Sequence, residues 1–181
     1  MSHTTSVKSC PIKSITALQA AVQTLRLQGV ECVLKQNSVP RMFYDDQISR
    51  HVRQREEELK RTGKDEGYVF HTNPEECDYT LHLPKASYDV GFLRNRKGEL
   101  VPFFDDWKQS VASQLGATFG GKVEHWSGDR DAGEQQLHSV GKLLQQYAKH
   151  AATEAAVSDG YMVTGEETDA QGNIHLLVEV M

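Results

Sequence analysis

Residues 88–104 carry the sequence YDVGFLRNRKGELVPFF, which decides the class of fold. The stretches Tyr88–Leu93 and Glu99–Phe104 are rich in the aromatic and aliphatic residues that favour strands. The residues Asn95–Gly98 between them are typical of a turn. Pro102 cannot donate a hydrogen bond to a neighbouring strand, so it places the second strand at an edge or near its own end. The segment therefore predicts a β-hairpin.

The residues before this hairpin predict strand, helix and strand. Residues 4–9 are partly β-branched and fit a short first strand. Ser14 is suited to cap a helix because its hydroxyl can accept a hydrogen bond from a free backbone N–H of the first turn. Gly29 is placed to end that helix in a left-handed conformation, and residues 30–35 predict a second strand. The core-facing stripe of the helix is formed by Ile15, Leu18, Val22 and Leu25.

Four more elements follow from periodicity. Residues 78–84 alternate between apolar and polar and predict a half-buried strand. Asp105 and Asp106 are expected to open a helix that runs through Leu115, with Trp107, Val111 and Leu115 on one face. A long helix is predicted over residues 135–158. A last hairpin turns at residues 169–172.

Short hairpin connections dominate this order of elements, which favours antiparallel pairing. We therefore predict a single α+β domain over residues 1–181. Its sheet is expected to be mainly antiparallel, with amphipathic helices packed on one face.

Two polar insertions interrupt the pattern, at about residues 38–76 and 116–134. The first contains a charged segment over residues 47–64, whose aliphatic residues are Ile48, Val52 and Leu59. We predict that this segment is helical but poorly anchored. The stretch from Arg41 to Lys64 contains seven basic and five acidic residues, a net charge of +2.

Composition restricts the class of protein. The 181 residues carry a net charge of -5, which argues against non-specific DNA binding. The cysteines Cys10, Cys32 and Cys77 are widely spaced, which is typical of free thiols in a reducing compartment. The first residues lack the apolar core of a signal peptide, and no apolar stretch reaches the length of a membrane span. We therefore expect a cytoplasmic protein that does not enter a membrane.

Residues with possible catalytic or metal-binding chemistry form no recognised pattern. His71, Cys77 and His82 could converge on a metal, but their spacing does not fix such a geometry. The pair Asp105–Asp106 has a structural explanation as the start of a helix. We therefore predict no catalytic residue, no metal site and no cofactor.

Two features are candidates for binding. The basic residues of the first insertion could hold phosphate or an acidic partner, or could instead pair with Glu56, Glu57 and Glu58 along a solvated helix. Trp126, in the second insertion, could anchor a partner or could pack onto the core. The candidate binding residues are Arg50, Arg53, Arg55, Lys60, Arg61 and Trp126.

Three parts of the chain together resemble a known family, the domain of unknown function 1257. It comprises a conserved cyanobacterial and plastid reading frame with bacterial and bacteriophage relatives. The first part is the opening Met-Ser-His with the helix ITALQAAVQTLRLQG, and the second is YDVGFLRNRKGELVPFFDDW with its Asp105-Asp106-Trp107. The third is the C-terminal pattern of Tyr147, Ala148, Gly160, Tyr161, Asp169, Gly172 and Ile174.

This resemblance implies a compact α+β domain of unknown biochemical function. The two insertions depart from the family and favour a bacteriophage relative, in which case the compartment is the host cytoplasm. Bacterial and bacteriophage members of this family often lie near genes for an ATPase of the AAA class, so the resemblance implies such an ATPase as a partner.

Three hypotheses about function follow. The first is a non-catalytic protein-interaction module that presents its insertions to an ATPase or to a host protein. The second is a nucleic-acid-binding accessory protein that uses the basic helix. The third is an enzyme with a concealed site that involves His71, Cys77, His82 or Asp105–Asp106. The oligomeric state does not follow from the sequence.

Overall fold

The computed structural model describes residues 4–6, 12–63, 67–69, 71–116, 139–169 and 174–180; the side chains of residues 4–6 and of Arg55 lie outside this description. The strands in these ranges are β1 (Thr4–Ser6), β2 (Val33–Ser38), β3 (Cys77–His82), β4 (Val90–Arg94), β5 (Leu100–Asp105), β6 (Tyr161–Thr168) and β7 (Ile174–Val180). The α-helices are α1 (Ile15–Leu27), α2 (Gln47–Thr62), α3 (Ala112–Leu115) and α4 (Gly141–Ser158).

A five-stranded antiparallel sheet in the order β1-β5-β4-β3-β2 forms the centre of the protein. The predicted hairpin is its middle, β4 and β5, and its turn is closed by a 2.9 Å hydrogen bond from Gly98 N to Asn95 O. Gly98 has a φ of 84°, and Asn95 Oδ1 accepts from Glu99 N at 2.9 Å. The predicted α+β fold with a mainly antiparallel sheet is confirmed.

Pro102 does not place β5 at the edge of the sheet, because β5 lies between β4 and β1. The prediction that β5 is an edge strand is therefore wrong. The pairings on its β1 side are Ser6 with Phe103 and then Ile12 with Leu100. Pro102 therefore lies between two pairings, at a place where its missing N–H is tolerated.

Helices α1 and α4 share one face of the sheet, as predicted. Ser14 Oγ accepts from Ala17 N at 3.0 Å and caps α1. At the other end Val30 N donates to Leu25 O and Gly29 N to Arg26 O, the two bonds of a Schellman motif. Because Val30 completes the helix end, β2 begins at Val33 instead of residue 30. The described part of the predicted long helix begins at Gly141, and residues 135–138 lie outside the described ranges.

Helix α2 covers the opposite face of the sheet, so the expectation of a poorly anchored helix is wrong. Ile48, Val52 and Leu59 are all buried. Ile48 and Val52 pack in an apolar cluster with Tyr68, Cys77, Leu93, Val101 and Phe103. Few aliphatic residues suffice here because they lie along one stripe of the helix and meet aromatic side chains of the sheet. Three of the six residues of β3 are buried and the other three are partly exposed, as expected for a half-buried strand.

The helix predicted from Asp105 to Leu115 is interrupted. Asp105 is the last residue of β5, a 3-10 turn spans Trp107–Gln109, and α3 is a single turn. Val111 and Leu115 are buried as expected, but Trp107 is 43% exposed. The interruption comes from Lys108 and Gln109, which have positive φ values of 57° and 56°.

Strands β6 and β7 form a separate two-stranded sheet, which confirms the predicted last hairpin. It lies against α4, where Lys149 Nζ is 2.5 Å from Glu166 Oε2. Residues 170–173, which include most of the predicted turn, lie outside the described ranges. Across the described residues, no helix combines the length and the apolarity that crossing a bilayer requires.

Candidate functional site

Four aromatic side chains meet at one end of the main sheet, and we call them the aromatic patch: Phe43, Tyr44, Tyr88 and Trp107. Phe43 is at the centre, with ring-centroid distances of 4.7 Å to Tyr44, 6.3 Å to Tyr88 and 6.1 Å to Trp107. Phe43, Tyr44 and Trp107 are 42%, 46% and 43% exposed. Large aromatic side chains gain most by burial, so a group of them left half in water marks a surface suited to contact with another molecule.

The segment before α2 reaches this end of the sheet by crossing over β4. It leaves β2 at Ser38, which pairs with Cys77 at the far end of β3. Pro40 then passes over Gly91, where a Cβ atom would come within 2.9 Å of Pro40 Cγ. The missing side chain of Gly91 therefore leaves the space through which the segment delivers Phe43 and Tyr44 to the patch.

An ion pair between Arg41 and Asp89 fixes the end of this crossing. Arg41 Nη2 lies 2.8 Å from Asp89 Oδ1, and Arg41 Nε donates to Asp89 Oδ2 at 3.1 Å. The buried carboxylate also accepts from the backbone N–H groups of Arg41 and Leu83, each at 3.0 Å. Burial pushes the pKa of Asp89 upward, but the hydrogen bonds from Arg41 and Leu83 push it down further, so the net shift is downward. The carboxylate is therefore a fixed structural charge.

A buried bridge of Gln47 and Asp105 joins two members of the patch from beneath. Gln47 Oε1 accepts from Tyr44 N at 3.1 Å, and Gln47 Nε2 donates to Asp105 Oδ2 at 3.2 Å. Asp105 Oδ1 accepts from Trp107 N at 2.9 Å. The backbones of Tyr44 and Trp107 are thus held by one polar network whose side chains are shielded from water.

The backbone next to Trp107 is strained. Lys108 and Gln109 are consecutive residues whose backbones lie in the left-handed region, a conformation that residues other than glycine rarely adopt. Asp106 holds the following turn in place, since its Oδ1 accepts from Val111 N at 2.8 Å and from Ala112 N at 3.0 Å. Such conformations persist only where the surroundings impose them, and they concentrate at functional sites.

Arg50 extends the patch along α2. Its Cζ atom lies 5.4 Å from the centre of the Tyr44 ring, within the range of a cation–π contact. Its Nη2 donates to both carboxylate oxygens of Asp46, at 2.8 and 2.9 Å. The hydrogen bond from Arg50 lowers the pKa of Asp46, which keeps the two charges paired. With Asp45 and Lys108 also exposed, the surface of the patch is close to electrically balanced.

The basic residues predicted to bind a partner do not form one site. Arg50 lies beside the aromatic patch, and Arg53 lies one turn further on, with its Nε donating to Ser49 O at 3.2 Å. Lys60 and Arg61 are exposed in the last turn of α2, about 15 Å along the helix from Arg50. The side chain of Arg55 and the whole of Trp126 lie outside the described residues.

Sequence reasoning missed the patch itself. Helical spacing places Trp107 on the buried face of a helix that the structure interrupts. The neighbouring pair Phe43–Tyr44, within a polar insertion, was the signal that could have indicated an exposed aromatic surface.

His71, Cys77 and His82 do not converge. The His71 nitrogens lie 3.6 Å from Glu76 Oε1 and 3.4 Å from Asp78 Oδ2, whereas His82 Nδ1 lies 3.1 Å from Asp89 Oδ1. Cys77 and His82 are the two ends of β3, about 16 Å apart along the strand. Burial, followed by the nearby Asp78, raises the pKa of the Cys77 thiol. The described residues hold no group of three His, Cys, Asp or Glu side chains arranged to bind a metal ion.

No protein-family model, curated protein or solved structure matches the chain. The resemblance to the domain of unknown function 1257 therefore stays a prediction.

Proposed function

We propose that the protein is a non-catalytic binding module that holds a protein partner through the aromatic patch and Arg50. The observation that carries the proposal is the exposure of Phe43, Tyr44 and Trp107 on a preorganised base. Trp, Tyr and Arg are the residues that contribute most to protein–protein binding energy. Side chains that are already fixed lose little conformational entropy when a partner covers them.

The charge of the patch supports a protein partner over a nucleic acid. Arg50 is paired with Asp46, and the two other exposed charges beside the patch, Asp45 and Lys108, are of opposite sign. Phosphate-binding surfaces instead carry unbalanced positive charge, because binding draws on neutralised phosphates and released counterions. An aromatic centre with paired charges at its rim has the composition of a protein interface.

The partner class we propose to test first is an ATPase of the AAA class, and a host protein if the chain is phage-encoded. Both follow from the family resemblance. We also propose that the protein works in a reducing compartment such as the cytoplasm. The free, buried thiols of Cys32 and Cys77 support this compartment.

The proposal is tested by comparing what the wild-type chain and Trp107→Ala capture from cells, with quantitative mass spectrometry. A partner held by the patch should be depleted at least roughly tenfold with Trp107→Ala and with Tyr44→Ala, since interface anchors contribute about 2 kcal/mol or more. Leu27→Ala is the matched control, because Leu27 is 86% exposed on α1 and lies outside the patch. Equal capture by wild type and both patch variants would contradict the proposal.

A nucleic-acid-binding accessory protein is the second candidate. The exposed Arg53, Lys60 and Arg61 on α2 favour it. A labelled single-stranded oligonucleotide should then bind with an affinity that falls steeply as salt is raised. The double variant Lys60→Gln/Arg61→Gln should bind more weakly. Binding that ignores salt, or that responds only to Trp107→Ala, would count against this second candidate.

A further inference from the structure

Strand β7, with the sequence IHLLVEV, presents an edge that lacks the usual protection against pairing. It contains no proline, lysine or arginine. Strand β6, its partner, carries a register shift between Val163 and Gly165 and the adjacent acids Glu166 and Glu167. Irregularities and charges of this kind deter strand addition, whereas a long regular apolar edge invites it. Of the two edges of this hairpin, that of β7 is therefore the one open to a further strand.

Within the described ranges β7 pairs only with β6. A two-stranded sheet is marginally stable by itself and gains from further strands. Its apolar side chains stay exposed although the hairpin lies against α4. Met162 is 50% exposed, Leu177 and Val178 are each 46% exposed, and Val180 is 80% exposed.

The sequence of β7 is self-complementary when two copies run antiparallel about a twofold axis at Leu177. In that register all seven residues of the strand find a partner. Ile174 then faces Val180 of the second copy, and Leu176 faces Val178 of the second copy. His175 faces Glu179 of the second copy, twice over, which gives two pairs between an imidazole and a carboxylate.

Another register is less favourable. An axis at Glu179 would place two carboxylates directly opposite each other, which is destabilising, and would leave most of the strand unpaired. The axis at Leu177 is thus the one that pairs every residue of the strand while placing no like charges opposite each other.

We propose that the β7 edge pairs with β7 of a second copy of this chain, forming a four-stranded antiparallel sheet in the order β6-β7-β7-β6 across a homodimer. The twofold axis passes at Leu177. This inference is independent of the aromatic patch and of the partner proposed for it.

The test is the solution mass measured by light scattering and by sedimentation over a range of concentrations. The wild-type chain should give twice the 20.3 kDa of the monomer and should dissociate on dilution. His175→Glu should raise the dissociation constant of the dimer roughly tenfold, because it places a carboxylate opposite Glu179 in both pairs. Adding Glu179→Lys to that variant should restore the dimer.

This restoration cannot arise inside one chain. Residues 175 and 179 are about 13 Å apart along β7. Within the hairpin His175 pairs with Glu167 and lies 3.2 Å from Asp169 Oδ2, whereas Glu179 pairs with Met162. A lysine at position 179 would therefore not relieve the repulsion from Glu167 that His175→Glu introduces within the hairpin.

Gln54→Glu is the matched control, because it adds the same charge on the exposed surface of α2 and should leave the mass unchanged. Should His175→Glu fail to fold by circular dichroism, Leu177→Lys provides a second disruption by placing two lysines at the axis. A wild-type chain that stays monomeric throughout the micromolar range would overturn the proposal and leave the edge to a strand of a different protein. A double variant that remains monomeric would also overturn it.

Discussion

Arg41 and Asp89 form a two-point ion pair, with Nη2–Oδ1 and Nε–Oδ2 distances of 2.8 and 3.1 Å, which ties together two parts of the aromatic patch. Arg41 belongs to the segment that carries Phe43 and Tyr44, and Asp89 follows Tyr88. Asp89 N also donates to Arg41 O at 3.0 Å, so the two backbones are joined as well as the side chains. The shape of the patch therefore depends on this pair.

Replacing Asp89 with asparagine should destabilise the protein by about 2–4 kcal/mol. The substitution removes the negative charge from a site where a guanidinium and two backbone N–H groups converge. We place the value below that of a fully buried pair because Arg41 is 43% exposed. Urea denaturation followed by circular dichroism measures the loss. Asp45→Asn, at an exposed position, is the control and should change the free energy of unfolding little.

The same carboxylate predicts an acid-dependent stability. The pKa of Asp89 in the folded protein lies below its ordinary value of 3.8, so the unfolded chain takes up this proton first as the pH falls. The contribution of Asp89 should be complete above pH 3.8 and should be lost as the pH drops through the folded pKa. Denaturation curves between neutral pH and acid should converge for wild type and Asp89→Asn. Curves that stay parallel would contradict the assignment.

Gly91 is predicted to tolerate no side chain. A Cβ atom there would come within 2.7 Å of Cys77 Sγ and 2.9 Å of Pro40 Cγ. Gly91→Ala should cost about 1–3 kcal/mol in unfolding free energy through overpacking. The double variant Gly91→Ala/Cys77→Ala should cost less than the sum of its single variants, since it removes one of the two clashes. Additive costs would indicate that the clash with Cys77 does not occur.

The strain at Lys108 predicts that relieving it raises the stability of the protein and weakens binding of the partner. Lys108→Gly should raise stability by about 0.5–1 kcal/mol, because glycine accepts a φ of 57° without penalty, although it adds entropy to the unfolded chain. The same change should weaken partner capture, since Trp107 loses a rigid neighbour. Lys108→Ala removes the side chain but keeps the strain, and serves as the control. A stability for Lys108→Gly no higher than that of Lys108→Ala would argue against strain at this position.

His150 predicts that the contact between α1 and α4 weakens in mild acid. Burial, followed by the neighbouring Lys149, lowers the pKa of His150 below its ordinary value of 6.5, against the opposite effect of Glu154 and Glu166. The unfolded chain therefore binds this proton more readily, so stability is complete above pH 6.5 and falls as the pH drops below it. His150→Gln should flatten the pH dependence of the melting temperature between pH 7 and 5. An unchanged slope would assign the effect to another group.

The geometry around Thr24 adds detail to this contact. Thr24 Oγ1 donates to Ala20 O at 3.1 Å and lies 2.9 Å from His150 Nε2. The contact between Thr24 and His150 therefore joins α1 to α4 by a side-chain hydrogen bond.

Local signals in the sequence were sufficient for the β4–β5 hairpin and for α1. The hairpin follows from a turn at Asn95–Gly98 between two apolar stretches. The helix follows from its cap at Ser14, its apolar stripe and Gly29. Each signal acts between residues only a few positions apart, so each can be recognised without information about the rest of the chain.

Predictions for α2 and Trp107 depended on distant residues and were wrong for that reason. The charged sequence of α2 suggests a solvated helix, and only the apolar second face of the sheet, with Phe103 and Leu93, gives its aliphatic residues a partner. Trp107 has helical spacing from Val111, but the positive φ values of Lys108 and Gln109 interrupt the helix between them and leave Trp107 43% exposed.

The sequence alone thus determined the class of fold, the central hairpin and the caps of α1, because short-range hydrogen bonding and side-chain periodicity control these features. The tertiary structure alone decided that two faces of the sheet are covered. It also brought Phe43, Tyr44, Tyr88 and Trp107 together from three separate connections. Their convergence depends on the passage of Pro40 over Gly91 and on the Arg41–Asp89 pair, contacts between residues about fifty positions apart that no local pattern encodes.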